Sequence, residues 1–328
     1  MKILFYCPHM TLGGTEITAY DFADYNEKIL GNESVIAYNH QDPLNNDMVI
    51  DKFKQRFDKV IPLYGPNTDW RMNPTITNPQ LELIVDIEGC DAFYTQKFGH
   101  NDGVVLNNCK NLILVAAPVC EPHGDVYAYV SEWLSEKASG GKYPAVPSMI
   151  TPLKETKDTL REELEIPKSA IVFGRHGGDY GWNIPFANEV VKIVVQNHPN
   201  IYFIFQNTPI SFKHKQIIHI SPSADLDIKA KFISTCNAMI HARNEGESFG
   251  CACGEFSIMN KRIITYNLSK DRNHISLLGD KGIYYSNPQE MYDAIVNFKY
   301  EPDKDWNGYK DYNPERIMNI FDNVFLKG

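Results

Sequence analysis

Two carboxylates eight positions apart, Glu247 and Glu255, are the first residues in this chain whose types and spacing suggest chemistry. An apolar run over residues 236–240 precedes them, and residues 251–259 can form about two to three helical turns. The pattern predicts a strand, a polar loop and a helix. Open α/β sheets bind ligands at such loops, where free N–H groups of the helix amino terminus favour an anion. From the residues alone a second interpretation stays open, in which Glu255 only complements the helix dipole and Glu247 is a solvated loop charge.

Two glycine pairs follow other predicted strands. Gly13 and Gly14 come after the apolar run at the start of the sequence, and Gly177 and Gly178 come after a second run that ends beside Arg175. Each pair precedes apolar residues at helical spacing, so the chain repeats a strand, a glycine turn and a helix. Glycine lets the backbone approach a ligand closely, and Arg175 adds a positive charge suited to phosphate. The spacing is not Gly-x-Gly-x-x-Gly, which disfavours a nicotinamide cofactor.

The segment Glu247-Ser-Phe-Gly, with Glu255 eight positions after its first residue, resembles the Glu-x(7)-Glu motif of family-4-type retaining glycosyltransferases. Gly13-Gly14-Thr-Glu16 resembles the glycine loop in the amino-terminal domain of these enzymes, and Gly174-Arg175 resembles the start of their diphosphate-binding loop. The resemblance is specific over about residues 170–285 and holds in outline elsewhere. It implies an α/β fold with two Rossmann-like domains that face each other across a cleft, the GT-B architecture.

The resemblance also implies a role for each candidate site residue. In this family the first Glu contacts the donor sugar, the second binds the nucleotide ribose, and the Arg binds the diphosphate. The expected catalytic residues are therefore Glu247, Arg175 and His123, the last as a first-domain histidine near the sugar, with His9 and His100 as further candidates. The expected donor-binding residues are Gly13, Gly14, Arg175, Gly177, Gly178, Glu247, Ser248, Phe249, Gly250 and Glu255.

Two segments depart from the family pattern. The Lys that usually grips the diphosphate together with the Arg is absent, because Gly181-Trp-Asn183 occupies its place. The usual Leu-x-x-Leu before the second Glu is replaced by Cys251-Ala-Cys-Gly254. The first departure leaves one fewer positive charge for the leaving group unless His176, Arg243 or the glycine amides compensate.

Two α/β domains are needed to position these segments. Glycines and prolines over residues 139–152 predict a linker. We therefore expect an amino-terminal Rossmann-like domain over residues 1–150 on the acceptor side and a carboxyl-terminal one over residues 151–328 on the donor side. A helix over about residues 314–325 either crosses back onto the first domain or packs on the second.

Three further segments carry predictions about local structure. Residues 64–80 contain proline and asparagine and are predicted to form a loop. Residues 155–164 are predicted to form a charged amphipathic helix. Asp225-Leu-Asp227 mimics a metal-binding Asp-x-Asp, but its place before an apolar-periodic stretch favours a helix N-cap. The sequence thus predicts no metal site.

Composition excludes several classes of protein. The chain has 328 residues, of which 43% are hydrophobic, and a formal net charge of −9. These values are typical of a folded protein of two domains and argue against nucleic acid as the main partner. Seven cysteines without metal-site spacing indicate reduced thiols and a cytoplasmic setting. The longest apolar run, residues 112–120, is too short to span a membrane, although peripheral membrane contact stays open.

The resemblance therefore implies a hexosyl- or pentosyltransferase of polysaccharide or glycan biosynthesis. It would move a sugar from a nucleotide-diphosphate-sugar donor to a glycan, lipid-linked or protein acceptor with retention. In retaining members the leaving phosphate helps to take the acceptor proton, so neither a metal nor a cofactor is implied, and UDP or GDP is the expected nucleotide. Two alternatives are a nucleotide-sugar epimerase of the same architecture and a non-catalytic sugar-nucleotide binding module. The sequence does not specify the oligomeric state.

Overall fold

The computed structural model describes residues 1–65, 73–154, 156–178 and 181–328. Within these ranges the chain divides into two compact units. Unit 1 comprises Met1–Met149 and Tyr312–Gly328, and unit 2 comprises Ile150–Asp311. Unit 2 is thus inserted between two stretches of unit 1.

Unit 1 contains a parallel sheet whose six described strands have the order β3-β2-β1-β4-β5-β6. Their apolar runs are nearly continuous because helices cover parallel sheets on both faces. This order is that of a Rossmann fold, and it reverses direction between β1 and β4. The strands are β1 Lys2–Cys7, β2 Glu33–Asn39, β3 Val60–Leu63, β4 Ala92–Lys97, β5 Lys110–Val115 and β6 Val126–Tyr129.

Four helices of unit 1 connect or follow these strands, and polar caps start three of them. The side chains of Asn46, Asn73 and Ser131 each accept a hydrogen bond from a backbone N–H in the first turn of the helix that follows. The helices are α1 Gly14–Lys28, α2 Asp47–Arg56, α3 Pro74–Glu88 and α4 Glu132–Ser139.

The predicted loop over residues 64–80 is wrong from residue 74 onward, where α3 begins. The Asn and Pro that indicated a loop are instead the N-cap, Asn73, and the first helical residue, Pro74, positions that favour these residue types. Part of the predicted loop, residues 66–72, lies outside the described residues.

The main sheet of unit 2 repeats this design. Its six described strands are parallel and have the order β14-β12-β10-β7-β8-β9, which is the same Rossmann order with its reversal between β7 and β10. Two short strands, β11 and β13, form a separate parallel pair. The strands are β7 Ile171–His176, β8 Ile201–Gln206, β9 Ile217–Ile220, β10 Ala238–His241, β11 Gly246–Glu247, β12 Arg262–Tyr266, β13 Asp271–Arg272 and β14 Ile283–Tyr285.

Helices flank this sheet, and α5 shows why they do. Its valines at positions 190, 191, 194 and 195 are buried at helical spacing in the core of unit 2. Asp225 caps α6 by accepting from the N–H groups of Asp227 and Ile228, which confirms the N-cap interpretation of this segment. The helices are α5 Ala187–Asn197, α6 Leu226–Thr235, α7 Cys251–Ile258, α8 Asn273–Leu278 and α9 Pro288–Val296.

The predicted helix over residues 155–164 is not formed by its described part, which consists of bends and turns. The N–H of Asp158 donates to Thr156 Oγ1 (3.0 Å), a local bond that competes with helical hydrogen bonding. The N–H of Leu160 donates to Thr235 Oγ1 (2.8 Å) in α6, so a tertiary contact fixes this segment. Glu155 lies outside the described residues.

A tenth helix, α10 Pro314–Phe321, lies after unit 2 in the sequence and belongs to unit 1. The ring of Phe321 lies 5.0 Å from that of Phe22 in α1 and 5.9 Å from that of Tyr94 in β4. The sequence left two places open for this helix, and in the structure it completes the core of unit 1.

Candidate functional site

Glu247 lies in unit 2, beyond the carboxyl end of β10 and next to the reversal point of the sheet. It stands on β11, which pairs with β13 so that Glu247 is opposite Arg272. Gly246 makes this pairing feasible. Its φ is +70°, and a Cβ at this position would lie only 1.9 Å from the backbone oxygen of Asp271. The glycine of the predicted polar loop is therefore needed for the close approach of a neighbouring strand.

The Glu247 carboxylate is 20% exposed and has two basic partners. Oε1 lies 3.1 Å from His241 Nε2, and Oε2 lies 3.1 Å from Arg243 Nη1. Burial alone would raise the pKa of Glu247, but the hydrogen bond with His241 and the charge of Arg243 hold that pKa well below its ordinary value. Glu247 is thus a permanently ionised acceptor with part of its surface open.

Two residues that the sequence analysis missed continue this network. Thr265 Oγ1 lies 2.8 Å from His241 Nδ1 and 3.1 Å from His274 Nε2. Burial lowers the pKa of both histidines, that of His274 to about 3. The strand register offered a signal, because His241 and Thr265 are directly paired across β10 and β12.

Glu255 lies in α7 and is only 6% exposed. Its Oε1 lies 2.5 Å from Lys229 Nζ in α6, and its Oε2 lies 2.9 Å from His176 Nε2 at the end of β7. Burial opposes ionisation, but the charge of Lys229 and the contact with His176 lower the pKa of Glu255 to about 2. Lys229 was missed by the sequence analysis, and the available signal was a Lys on the buried side of a helix.

Arg175 is 2% exposed and donates from Nη2 to the carbonyl of Gly181. Burial lowers the pKa of Arg175 to about 10. Among the described residues its Nε has no hydrogen-bond partner. Gly177 lies two residues further on, and its carbonyl accepts from Asn207 Nδ2 (3.0 Å), while no described atom lies within 4 Å of a Cβ built at Gly178. Arg175, which was expected to bind phosphate, is therefore a buried group of β7 next to the glycine turn.

The three residues after Glu247 differ in what they can offer a ligand. Phe249 is buried, and its ring meets that of Tyr309 edge-on at 5.7 Å. Gly250 has φ +95° and leaves no room for a Cβ, since Tyr309 Oη would lie at 2.9 Å. Ser248 is half-buried. Phe249 and Gly250 thus shape the turn into α7, and only the backbone of this turn is a candidate for ligand contact.

The predicted residues of unit 1 lie beside the reversal point of the first sheet. Gly13 precedes α1, and its N–H donates to Thr11 Oγ1 (3.0 Å), which in turn donates to Glu16 Oε2 (2.8 Å). Gly14 is the first residue of α1 and has open space around it. His9 Nε2 lies 3.1 Å from the other oxygen of the buried Glu16, a contact that raises the pKa of His9.

His123 is engaged within unit 1 through both ring nitrogens. Nδ1 lies 2.7 Å from the carbonyl of Glu121, which can only accept, so Nδ1 carries the proton. Nε2 lies 3.1 Å from Lys97 Nζ and must accept from it. Burial and the charge of Lys97 lower the pKa of His123. Both nitrogens of His123 thus have partners within unit 1, and its expected catalytic role stays a prediction.

No group of three or more His, Cys, Asp or Glu side chains among the described residues is arranged to hold a metal ion. Within the same part of the chain, no helix combines the length and apolar character needed to cross a membrane.

Comparison with known proteins places this geometry in a structural class. A scan against protein-family models finds no match for this chain, and a search of curated proteins finds none. Solved structures do match. A glycosyltransferase from Rickettsia africae ESF-5 is 14% identical, with a TM-score of 0.71 over 100% of this chain and 99% of that chain.

Anabaena HepE, solved in complex with UDP-glucose, is 12% identical, with a TM-score of 0.66 over 99% of this chain and 95% of that chain. A Listeria monocytogenes protein provisionally named as a UDP-N-acetylglucosamine 2-epimerase is 11% identical, with a TM-score of 0.61 over 100% of this chain and 97% of that chain. This chain has the GT-B fold. The predicted α/β fold class with two Rossmann-like domains is therefore confirmed, and identities this low speak for the fold alone.

Proposed function

We propose that this protein is a cytoplasmic glycosyltransferase that takes its sugar from a nucleotide-diphosphate-sugar donor and transfers it with retention. The observation that carries the proposal is the placement of Glu247 and Glu255 at the reversal point of the unit 2 sheet, each kept ionised by neighbouring basic groups. Reversal points of open α/β sheets are where such folds bind nucleotides. Two ionised carboxylates there can accept hydrogen bonds from sugar and ribose hydroxyls.

The residues divide the work as follows in this proposal. Glu247 accepts from hydroxyls of the donor sugar, and Glu255 accepts from the ribose. Arg175 and the backbone N–H groups at the start of α7 stabilise the negative charge that develops on the departing diphosphate. The leaving phosphate takes the acceptor proton, so no protein nucleophile and no metal are needed.

The nucleotide in this proposal is UDP or GDP. The UDP-glucose bound to HepE, a protein of the same fold, supports UDP as the first nucleotide to test. The acceptor is a glycan, a lipid-linked sugar or a protein, and the transferred sugar is a hexose or a pentose.

A donor panel tests the proposal directly. The thermal midpoint is measured with UDP, GDP, ADP, TDP and their common sugar conjugates, first without metal and then with it. A ligand at 100 times its Kd adds about 2.7 kcal/mol, which raises the midpoint by several degrees. We expect one nucleotide to give this shift in the wild type and in Glu245→Gln, since the Glu245 carboxylate accepts from Asn183 on the protein surface. We expect Glu255→Gln to lose it. No shift with any nucleotide would overturn the donor site.

A second candidate, a sugar-nucleotide binding module without turnover, is favoured by the burial of Arg175 and its hydrogen bond to Gly181. Release of free nucleotide from the bound donor separates the candidates. Transfer or slow hydrolysis releases UDP, whereas a binding module releases none. An epimerase would convert the donor into a second sugar nucleotide without needing an acceptor.

A further inference from the structure

A buried line of hydrogen bonds, here called the Glu247 chain, runs from Glu247 through His241 and Thr265 to His274. Its members come from four different elements, β11, β10, β12 and α8. His241, Thr265 and His274 have no exposed surface, and the rings of the two histidines lie 5.0 Å apart. Burying three polar side chains costs free energy that an apolar cluster would not, so the network calls for a role beyond packing.

The ionised carboxylate at one end fixes the donor and the acceptor of every hydrogen bond in the Glu247 chain. The ionised carboxylate of Glu247 can only accept, so His241 Nε2 must carry a proton and donate it. In the neutral ring His241 Nδ1 then accepts, and the one hydroxyl proton of Thr265 must point to it. The Thr265 oxygen is left to accept from His274 Nε2–H. This assignment satisfies every link with neutral histidines, in keeping with their burial.

We propose that Thr265 and His274 are positioning residues that hold the ring of His241 in place, so that its Nε2–H fixes the orientation of the Glu247 carboxylate. If the Thr265 hydroxyl were absent, the carboxylate would still keep the proton on Nε2, but His241 Nδ1 would be a buried acceptor without its donor. The ring could then turn away from this orientation, and the Glu247 carboxylate would move with it. Arg243 would still hold the second carboxylate oxygen, and Arg175 and Arg272 are the other cations near the chain. The consequence for catalysis rests on the proposed function, in which Glu247 contacts the donor sugar.

The first test does not need a donor. Histidine ring nitrogens are observed by ¹⁵N NMR in the ligand-free, full-length protein, with His241→Gln used to assign the signal of His241. In the wild type and in Thr265→Ser we expect His241 to be protonated at Nε2 and its Nδ1 signal to be that of a nitrogen that accepts a hydrogen bond. In Thr265→Val, which keeps the shape and removes the hydroxyl, we expect the Nδ1 signal to become that of a nitrogen without a donor. Thermal midpoints show that each variant is folded, and the wild-type signals still test the assignment if Thr265→Val does not fold.

The second test follows the slow hydrolysis of UDP-glucose. Misplacing a group that contacts the substrate by about 1 Å can cost on the order of a hundredfold in rate, so we expect Thr265→Val to lower kcat by about 10–100-fold. KM should change by less than about threefold, and Thr265→Ser should stay close to the wild type. His274→Gln keeps an N–H donor for Thr265 and should also retain most of the rate.

The outcomes are distinguishable. A wild type that turns over UDP-glucose while Thr265→Val matches Thr265→Ser in both the Nδ1 signal of His241 and the rate overturns the inference and leaves the proposed function standing. A wild type that does not turn over UDP-glucose counts against the proposed function with this donor, and the NMR comparison alone then decides the inference. A wild-type His241 protonated at Nδ1 overturns it in either case.

Discussion

The carboxylate of Glu255 is almost enclosed, so its charge must be balanced within unit 2. Lys229 in α6 and His176 at the end of β7 provide that balance. An ion pair at such a site adds little net stability compared with apolar residues, but removing one partner leaves a buried charge poorly compensated. The stability of unit 2 should therefore fall strongly when either the carboxylate or its cation is removed alone.

This dependence can be measured by substituting Lys229. We expect Lys229→Met to lower the free energy of unfolding of unit 2 by about 3–5 kcal/mol, because Glu255 loses its closest cation. Lys231→Met is the matched control two residues further along α6, since the partners of Lys231 among the described residues are the exposed carboxylates of Asp158 and Glu163. That change should cost less than about 1 kcal/mol. Hydrogen exchange of unit 2 peptides across a urea series measures both, and equal costs would contradict the role given to Lys229.

The pH dependence of stability follows from His274. Its folded pKa of about 3 lies below the ordinary value of 6.5, so between these values the unfolded chain binds a proton that the folded chain does not. Stability from this group is present above pH 6.5 and is lost as the pH falls toward 3, by at most about 1.4 kcal/mol per pH unit. His241, Glu247, Arg243 and Arg272 face this ring and contribute to the shift.

His274→Gln removes the titration and keeps a donor for Thr265. Urea midpoints of unit 2 between pH 7 and 5 should therefore fall less steeply in this variant than in the wild type. His100→Gln, an exposed position in unit 1, should leave the slope for unit 2 unchanged. Parallel slopes for wild type and His274→Gln would show that the folded protein tolerates a charged His274.

At this scale the sequence predicted the two carboxylates but not what surrounds them. The spacing of Glu247 and Glu255 and the turn between them are local and can be recognised along the chain. Lys229 lies 26 residues from Glu255, and Thr265 lies 24 residues from His241. Such partners meet only through the packing of separate elements, which no local pattern encodes. The burial of Arg175 was missed for the same reason.

Among the elements, the short pair of β11 and β13 controls where Glu247 stands. Gly246 is its critical residue, because its backbone is left-handed and a Cβ would collide with the backbone of β13. A collision with backbone cannot be relieved by a rotamer change, so the strands must separate.

We expect Gly246→Ala to lower the free energy of unfolding by more than about 1–2 kcal/mol, which is the cost of the left-handed conformation alone. Gly140→Ala in unit 1 is the matched control, since Gly140 is left-handed (φ +62°) and no described atom lies within 4 Å of its Cβ position. Only Gly246→Ala should increase hydrogen exchange in β11 and β13. Similar exchange in the two variants would mean that the strands tolerate the added atom.

Several elements were predictable, since the strand predicted at residues 236–240 and the helices predicted at residues 251–259 and about 314–325 occur within a few residues of these bounds, as β10, α7 and α10. Continuous apolar runs and the glycine turns after them account for this success. The failures have two physical causes. Pro74 indicated a loop but is the first residue of a helix. The N–H of Leu160 bonds to Thr235, which is distant in the sequence, instead of forming a helical hydrogen bond. The pair of β11 and β13 was invisible because two-residue strands carry no periodicity.

On the scale of the whole molecule, unit 1 depends on a helix that the chain supplies after unit 2. Phe321 of α10 packs among Phe22 and Tyr94 in the core of unit 1. Two Rossmann-like domains could be predicted from the repeated strand, glycine turn and helix, and the GT-B architecture from the family resemblance of the Glu247–Glu255 segment. The sequence could not predict that α10 belongs to unit 1, because the pattern of its apolar face would fit either sheet equally well.

Truncating Phe321 to Ala should destabilise unit 1 by about 3–5 kcal/mol, the usual cost of removing a buried aromatic ring. Leu83→Ala, at an exposed position of α3, should have no measurable effect. Hydrogen exchange of peptides from each unit reports the change. Faster exchange confined to unit 2 would show that α10 does not support the core to which the structure assigns it.

The insertion of unit 2 within the sequence of unit 1 has a consequence for biosynthesis. Unit 2 is one continuous stretch, so it can complete its fold as soon as residue 311 has left the ribosome. Unit 1, although its strands are translated first, must wait for α10 with the rings of Phe22 and Tyr94 uncovered. The order of maturation is thus the reverse of the order of translation, and the nascent amino-terminal half is the part of this protein for which we expect chaperones to matter most.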